Sequence, residues 1–209
     1  MLGQGNLRNK LVDYGRKLVI NGHDTEECGN LSAQMEDGRV LITTNGLRMG
    51  KLGPEHFSVV SLQGELLSGE LPDWEFEHHL DIYNANSKHK AIFTLTPKNI
   101  SKLVTSDHQN VENVLPALAP IVSMRTPTLP KIPIFRSSGS RFLAEKAKNH
   151  HAVLIANIGL VVMGKDLEDA LRNVEELEET AALRLNAAND NIQYLSNEEI
   201  AEIKAVFAH

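Results

Sequence analysis

Long apolar runs are missing from this sequence of 209 residues. Its longest apolar stretches, such as "ALAPIV" and "LVVM", fall far short of the roughly 20 residues that are needed to cross a bilayer. The opening residues, "MLGQGNLRNK", also lack the apolar segment of a secretory signal. We therefore expect no membrane partner and a cytoplasmic location.

Cysteine and clustered charge are also scarce. The one cysteine, Cys28, excludes an internal disulfide framework, and it is either a partly buried small residue or a reactive thiol. The formal net charge is −6, and the chain contains no run of five like charges and no basic stripe. A nucleic-acid partner is therefore not expected.

What is present is a regular alternation of helical and strand patterns. Hydrophobic residues make up 42% of the chain, which is enough to bury a sizeable core. Apolar residues at helical spacing predict an opening helix from Leu7 to Val19 and a long helix from Leu167 to Leu185. Further patterns predict strands over 39–43, 57–61 and 90–96, another short strand after "LQG", helices over 73–86, 99–119 and 140–149, short strands and turns over 120–135, and a hairpin over 152–164.

Near the end of the chain, Ser196 and Glu199 have the spacing of a capping box, which predicts a terminal helix. No composition shift, flexible linker or internal repeat divides the sequence. Residues 1–209 are therefore expected to form a single α/β domain, with helices covering a sheet.

The order of several motifs resembles that of the class II aldolase/adducin family. The similar segments are "GNLSAQMEDGRVLITTNG" (29–46), "FSVVSLQGELLSGE" (57–70), "EFEHHLDIY" (75–83) and "NIGLVVMGKDLEDALRNVEELEETA" (157–181). The resemblance implies a three-layer α-β-α sandwich with a central mixed, largely antiparallel sheet. It also implies a homo-oligomer, a tetramer by analogy, with a sugar or a small phosphate as ligand.

Active members of that family hold a divalent metal, usually zinc, through two histidines of a His-x-His strand and one of an Asn-His-Gly turn. In this sequence the resemblance places those positions at Phe93, Leu95 and Ile158. Phenyl and alkyl groups offer zinc no lone pair. We therefore expect no metal cofactor here, and a hydrophobic cluster in its place.

The other histidines of the chain are poor substitutes for the missing metal ligands. His78 and His79, like His150 and His151, are adjacent in the chain, and neighbours on a helix do not share a face. They are either solvated, or buried with their hydrogen bonds made inside the protein. The alternative is that they form a metal site at a new location.

Glu75 stands where the family has a proton-shuttling glutamate. It comes four residues before His79, so on a helix the two side chains could meet. One hypothesis is a retained acid/base, and the other is a structural pairing with His79.

The resemblance also implies a phosphate pocket. Gly29, Asn30, Asn45 and Gly46 remain as candidate donors, although the same residues suit ordinary turns. The serine pair that the family has before the glutamate falls on Asp73 and Trp74. There a carboxylate would repel a phosphate and an indole would crowd it.

Two hypotheses of function follow. In the first, the protein is a non-catalytic, aldolase-shaped scaffold or binding module, because the metal ligands and the serine pair are lost together. In the second, it is a divergent lyase that acts on a sugar phosphate or a related aldehyde with Glu75 as acid/base.

Overall fold

The computed structural model describes residues 3–25, 29–105, 128–129, 138–155 and 158–186, together with residues 196, 198–199, 201–202 and 205. The five long helices are α1 (Gln4–Ile20), α2 (Phe76–Ala85), α3 (Lys98–Thr105), α4 (Ser138–Ala147) and α5 (Leu167–Asn186). The strands are β1 (Asn30–Gln34), β2 (Val40–Thr43), β3 (Phe57–Val60), β4 (Leu66–Ser68), β5 (Ala91–Leu95), β6 (Thr128–Leu129), β7 (Ala152–Ile155) and β8 (Gly159–Gly164). Two short 3-10 turns, Met49–Lys51 and Pro54–His56, lie between β2 and β3.

The strands form one sheet in the order β4-β3-β2-β1-β5-β8-β7-β6. Neighbouring strands are antiparallel, except that β6 runs parallel to β7. The central strand β5 carries apolar residues on both faces, as expected for a strand covered on both sides.

Each face of the sheet packs against its own helices. A first apolar cluster joins one face to α1, α3 and α5 and includes Leu11, Leu31, Phe93, Leu95 and Val174. A second cluster joins the other face to α2 and α4, through Ile42, Leu80, Tyr83, Ile92 and Leu143. The expected three-layer α-β-α sandwich with a mixed, largely antiparallel sheet is thus confirmed.

Most predicted elements are present. The "NIG" break separates β7 from β8, and the two strands pair antiparallel as predicted for a hairpin. The capping box is confirmed by two bonds: the Ser196 N–H donates to Glu199 Oε2 at 2.7 Å, and the Glu199 N–H donates to Ser196 Oγ at 3.2 Å. Cys28, residues 106–119 of the predicted third helix, and most of 120–135 lie outside the described residues.

One strand was missed, and one helix begins later than predicted. The strand β1 was not predicted, because its residues were interpreted as a Gly-Asn segment. The helix predicted from residue 73 begins at Phe76, and the Asp73 carboxylate accepts the Glu75 N–H at 3.2 Å just before it. In the described ranges, no helix is both long and apolar enough to cross a membrane.

Candidate active site

Glu75 lies immediately before α2, over the strands β1 and β2. Its Oε2 atom accepts a hydrogen bond from Asn30 Nδ2 at 2.8 Å. The Asn30 Oδ1 atom in turn accepts one from Thr43 Oγ1 at 2.8 Å, so the amide can present only its nitrogen to Glu75. The carboxyl of Glu75 is therefore held in a defined orientation above the sheet.

The environment of Glu75 favours its protonated form. Burial raises the pKa of the Glu75 carboxyl above its ordinary value, the hydrogen bond from Asn30 works in the opposite direction, and the charge of Asp73 raises the pKa further. The residue nevertheless retains partial solvent access. A carboxyl of this kind can store a proton and exchange it with a ligand.

His79, one turn into α2, is fully buried among hydroxyl groups. Its Nδ1 lies 2.7 Å from Ser32 Oγ, and its Nε2 lies 2.9 Å from Thr94 Oγ1. Ser32 Oγ also lies 2.8 Å from the Tyr83 hydroxyl. Burial lowers the pKa of His79 to about 3, with a smaller contribution from His78, so the ring is neutral near pH 7.

The predicted pairing of Glu75 with His79 is wrong. Both ring nitrogens of His79 are bonded to hydroxyls from β1 and β5, and Glu75 is bonded to Asn30. The reason is that Glu75 precedes the first turn of the helix, so the spacing of four residues does not place the two side chains together.

The predicted convergence of Phe93, Leu95 and Ile158 is also wrong. Phe93 and Leu95 point together, as expected for residues two apart, but into the first cluster, where the Phe93 ring lies 6.5 Å from that of Tyr14 in α1. Ile158 packs against the second cluster on the opposite face. The three side chains therefore do not form the single apolar cluster that was expected at the metal position.

On β5 it is Thr94 that faces α2. Since Thr94 bonds His79 and the strand alternates, Ile92, Thr94 and Thr96 fall on one face, whereas Phe93 and Leu95 fall on the other. The positions assigned from the sequence thus lie on the face away from α2, and we take Thr94 and Thr96, one residue further along the chain, as the expected ligand positions.

Thr96, just beyond β5, is tied to Asp24. The Asp24 Oδ1 atom accepts the Thr96 hydroxyl at 2.8 Å and the Thr96 N–H at 3.2 Å, while its Oδ2 accepts the Gly29 N–H at 3.3 Å. Asp24 is 1% exposed. The role of Asp24 was missed, because no local pattern shows that it crosses to residue 96.

The structure separates the four predicted phosphate donors. Gly29 approaches β5 so closely that an added Cβ would lie 2.2 Å from the Thr94 carbonyl oxygen, which gives this glycine a structural role. Asn30 binds Glu75. Asn45 and Gly46 form an exposed turn after β2, where Gly46 has a φ of 76°, and the Asn45 N–H donates to the Leu71 carbonyl at 3.3 Å.

Asp73 and Trp74, which stand where the family has its serine pair, follow a segment that lies beside the Asn45–Gly46 turn. Thr44 forms a bridge with Pro72, which brings the turn next to the segment leading into Glu75. Trp74 is 46% exposed, and its indole packs edge-on against His78 with ring centroids 5.6 Å apart.

The residues at the expected metal position do not fit a zinc site. Zinc is bound in proteins by imidazole, thiolate or carboxylate groups. Thr94 and Thr96 offer hydroxyls that are already bonded to His79 and Asp24, and Ile158 offers an alkyl group. Within the part of the chain that the structure describes, no three His, Cys, Asp or Glu side chains are grouped to hold an ion.

Comparison with known families agrees with the fold and the order of the motifs. The profile of the class II aldolase and adducin N-terminal domain matches residues 9–185. The chain belongs to this family. The resemblance inferred from the motifs is thereby confirmed.

Several relatives of this class II aldolase-family chain carry a specific name. The 3-oxo-tetronate 4-phosphate decarboxylase of Haemophilus influenzae is 36% identical over 198 residues, which cover 93% of this chain and 94% of that protein. The enzyme of the same name from Pectobacterium atrosepticum is 37% identical, covering 94% and 91%. The crystal structure of YgbL from Escherichia coli superposes with a TM-score of 0.90 at 33% identity, covering 96% of this chain and 99% of that one.

Proposed function

We propose that this protein is a lyase that decarboxylates a phosphorylated 3-oxo sugar acid, with Glu75 as the proton donor. The observation that carries the proposal is the Glu75 carboxyl, which Asn30 and Thr43 orient and whose pKa burial raises. The identity to two decarboxylases over nearly the whole chain supports the substrate class.

The chemistry of such a substrate needs one proton in each turnover. In 3-oxo-tetronate 4-phosphate the ketone is β to the carboxylate, so the C1–C2 bond can break with its electron pair entering a C2–C3 enolate. Carbon dioxide leaves, and a proton added at C2 gives dihydroxyacetone phosphate. Protonated Glu75 would supply that proton and then recover one from solvent.

Decarboxylation suits the donors of this site better than aldol cleavage does. Cleavage of an aldol begins with removal of a hydroxyl proton and needs strong polarisation of a carbonyl, which a Lewis acid usually supplies. Loss of carbon dioxide from a β-keto acid begins without a base and ends with a proton donor. Glu75, whose pKa burial raises, fits the second requirement better than the first.

The phosphate group has one candidate location in this proposal. The exposed turn at Asn45 and Gly46 is joined through the Thr44–Pro72 bridge to the segment that carries Glu75. By contrast, the Gly29 N–H already donates to Asp24, and the Asn30 amide already binds Glu75. We therefore assign Gly29 and Asn30 to positioning, and Asn45 and Gly46 to the phosphate.

The test is the release of dihydroxyacetone phosphate from freshly generated 3-oxo-tetronate 4-phosphate, with and without a chelator. We expect the purified protein to exceed the spontaneous rate in both conditions. Glu75→Gln should lower kcat about 100-fold, the usual size of a lost general acid. Glu77→Gln, which changes an exposed carboxyl in the first turn of α2, should leave kcat unchanged. A wild-type rate equal to the spontaneous rate would refute the proposal.

A second candidate is a non-catalytic member that binds the same class of phosphate. It is favoured by the threonines and the isoleucine at the expected ligand positions, because these side chains do not fit zinc. Calorimetric binding of dihydroxyacetone phosphate without any turnover of the 3-oxo acid would select this candidate.

A further inference from the structure

Four polar side chains form a continuous chain from the interior to the candidate site. Tyr83 contacts Ser32, Ser32 contacts His79, and His79 contacts Thr94, at separations of 2.8, 2.7 and 2.9 Å between the bonded atoms. The first three residues are buried, whereas Thr94 is only half-buried. The chain therefore has a sealed end at Tyr83 and an accessible end at Thr94.

The sealed end sets the direction of the hydrogen bonds. Within the described ranges, the Tyr83 hydroxyl contacts Ser32 Oγ and no other acceptor. A buried O–H that does not donate is costly, so Tyr83 donates to Ser32. Ser32 has a single O–H of its own, and it donates this proton to His79 Nδ1.

The donor-to-acceptor order of the bonds continues through the imidazole ring of His79. His79 is neutral near pH 7, so one ring nitrogen accepts and the other carries the proton. Because Nδ1 accepts from Ser32, the proton is on Nε2, which donates to Thr94 Oγ1. The hydroxyl proton of Thr94 is consequently directed away from His79, and its oxygen is polarised by the bonds behind it.

Thr94 lies beside the proposed proton donor. Asn30 in β1 and Thr94 in β5 are directly opposite in the antiparallel register, so they point to the same face with Cβ atoms about 4.5–5.5 Å apart. Asn30 is the residue that holds Glu75. Asn30 is therefore a neighbour of both the Thr94 hydroxyl and the Glu75 carboxyl, which lie on the same side of the sheet.

We propose that Thr94 is a catalytic hydrogen-bond donor to the ketone oxygen of the substrate, and that Tyr83, Ser32 and His79 are positioning residues that direct its proton. This inference rests on the proposed decarboxylation. As the C1–C2 bond breaks, its electron pair moves into the C2–C3 bond and the ketone oxygen gains negative charge, which the Thr94 O–H stabilises. No proton leaves Thr94, and the proton that ends on C2 comes from Glu75.

The kinetic test compares two substitutions at Thr94. Thr94→Val keeps the shape and removes the hydroxyl, so we expect kcat to fall about 100-fold with a small change in KM, as for the loss of one oxyanion donor. Thr94→Ser keeps the hydroxyl and should restore kcat to within a few-fold of wild type. Thr105→Val, on the exposed surface of α3, is the matched control and should not change kcat. Full activity in Thr94→Val would overturn the proposal.

A second measurement does not depend on activity. Nitrogen-15 NMR of the histidine rings should show His79 protonated at Nε2 and unprotonated at Nδ1. Tyr83→Phe removes the terminal donor and should mix the two tautomers, whereas Tyr14→Phe, whose hydroxyl bonds Glu168, should leave them unchanged. A proton on Nδ1 in the wild-type protein would overturn the direction of the relay.

The two measurements separate failure of this inference from failure of the proposed function. If the protein releases no dihydroxyacetone phosphate above background, the decarboxylation proposal fails, and with it the catalytic role of Thr94, while the tautomer still reports on the relay. If the protein is active and Thr94→Val equals wild type, only the role of Thr94 is overturned.

Discussion

At the scale of single residues, Glu75 shows how burial and one hydrogen bond set the proton affinity and the position of a carboxyl. Its charge is disfavoured by burial and by Asp73, yet one hydrogen bond from Asn30 keeps its position defined. A raised pKa increases the fraction of carboxyl groups that carry a proton at any given pH. The surroundings of Glu75, more than its identity, therefore favour the proposed role as a general acid.

The raised pKa of Glu75 predicts a pH-dependent stability. In the unfolded chain the pKa of Glu75 is near 4.5, and the folded protein binds this proton more tightly. The contribution of Glu75 therefore favours folding below about pH 4.5 and is lost as the pH rises through the folded-state pKa. Glu75→Gln removes this dependence. We expect the Tm of the variant relative to wild type to increase between pH 4 and pH 8 in calorimetry. A constant Tm difference across this range would contradict the raised pKa.

At the scale of elements, the two faces of β5 determine what the strand can do. Phe93 and Leu95 anchor α1, α3 and α5, whereas Thr94 faces α2 and belongs to the candidate site. A slip of one residue in the interpretation of the strand exchanges these roles. The apolar residues that looked like replaced ligands are ordinary core.

Introducing histidines can test which residues of β5 point toward Glu75. The triple variant Thr94→His, Thr96→His and Ile158→His should bind one zinc ion per chain, because the three positions lie on the side of Glu75 in this assignment. Metal content after dialysis and zinc titration by calorimetry measure the result.

The matched control for that variant is Phe93→His, Leu95→His and Ile158→His. Two of its histidines replace fully buried residues of the first cluster, so we expect no zinc binding and a loss of about 2–5 kcal/mol of stability for each core replacement. Zinc binding by the control and not by the first variant would restore the assignment made from the sequence.

Local patterns predicted most elements, and the exceptions have physical causes. The helices α1 and α5 and the β7–β8 hairpin carry strong periodicity or a clear turn signal in consecutive residues. The strand β1 does not, because Asn30 and Ser32 have low strand propensity and alternate with only Leu31 and Ala33. Those two polar residues are the ones that reach Glu75 and His79.

At the scale of the whole molecule, the α-β-α layers place the candidate site on one face of the sheet. The face toward α2 carries Asn30, Ser32 and Thr94 among its apolar residues, whereas the residues of the same strands on the opposite face, Leu31, Phe93 and Leu95, are apolar. The two faces thus differ in polarity. Both carry apolar core, and the face toward α2 also holds a polar network beside the second cluster.

The oligomeric state remains a prediction at this scale. By analogy with the family we expect a homotetramer, whose mass by light scattering after gel filtration would be four times the 23.1 kDa of one chain. A mass of one chain over the micromolar range would contradict this expectation.

Sequence alone determined the family, the order of most elements and the chemical groups available, including Glu75 just before α2. These properties are local in the chain or depend on the order of motifs. Tertiary structure alone decided that Glu75 meets Asn30, that His79 lies between Ser32 and Thr94, and that Phe93 belongs to the opposite face. The reason is that a side chain's face and partners depend on the register between strands distant in sequence, and the alternation within one strand cannot set that register.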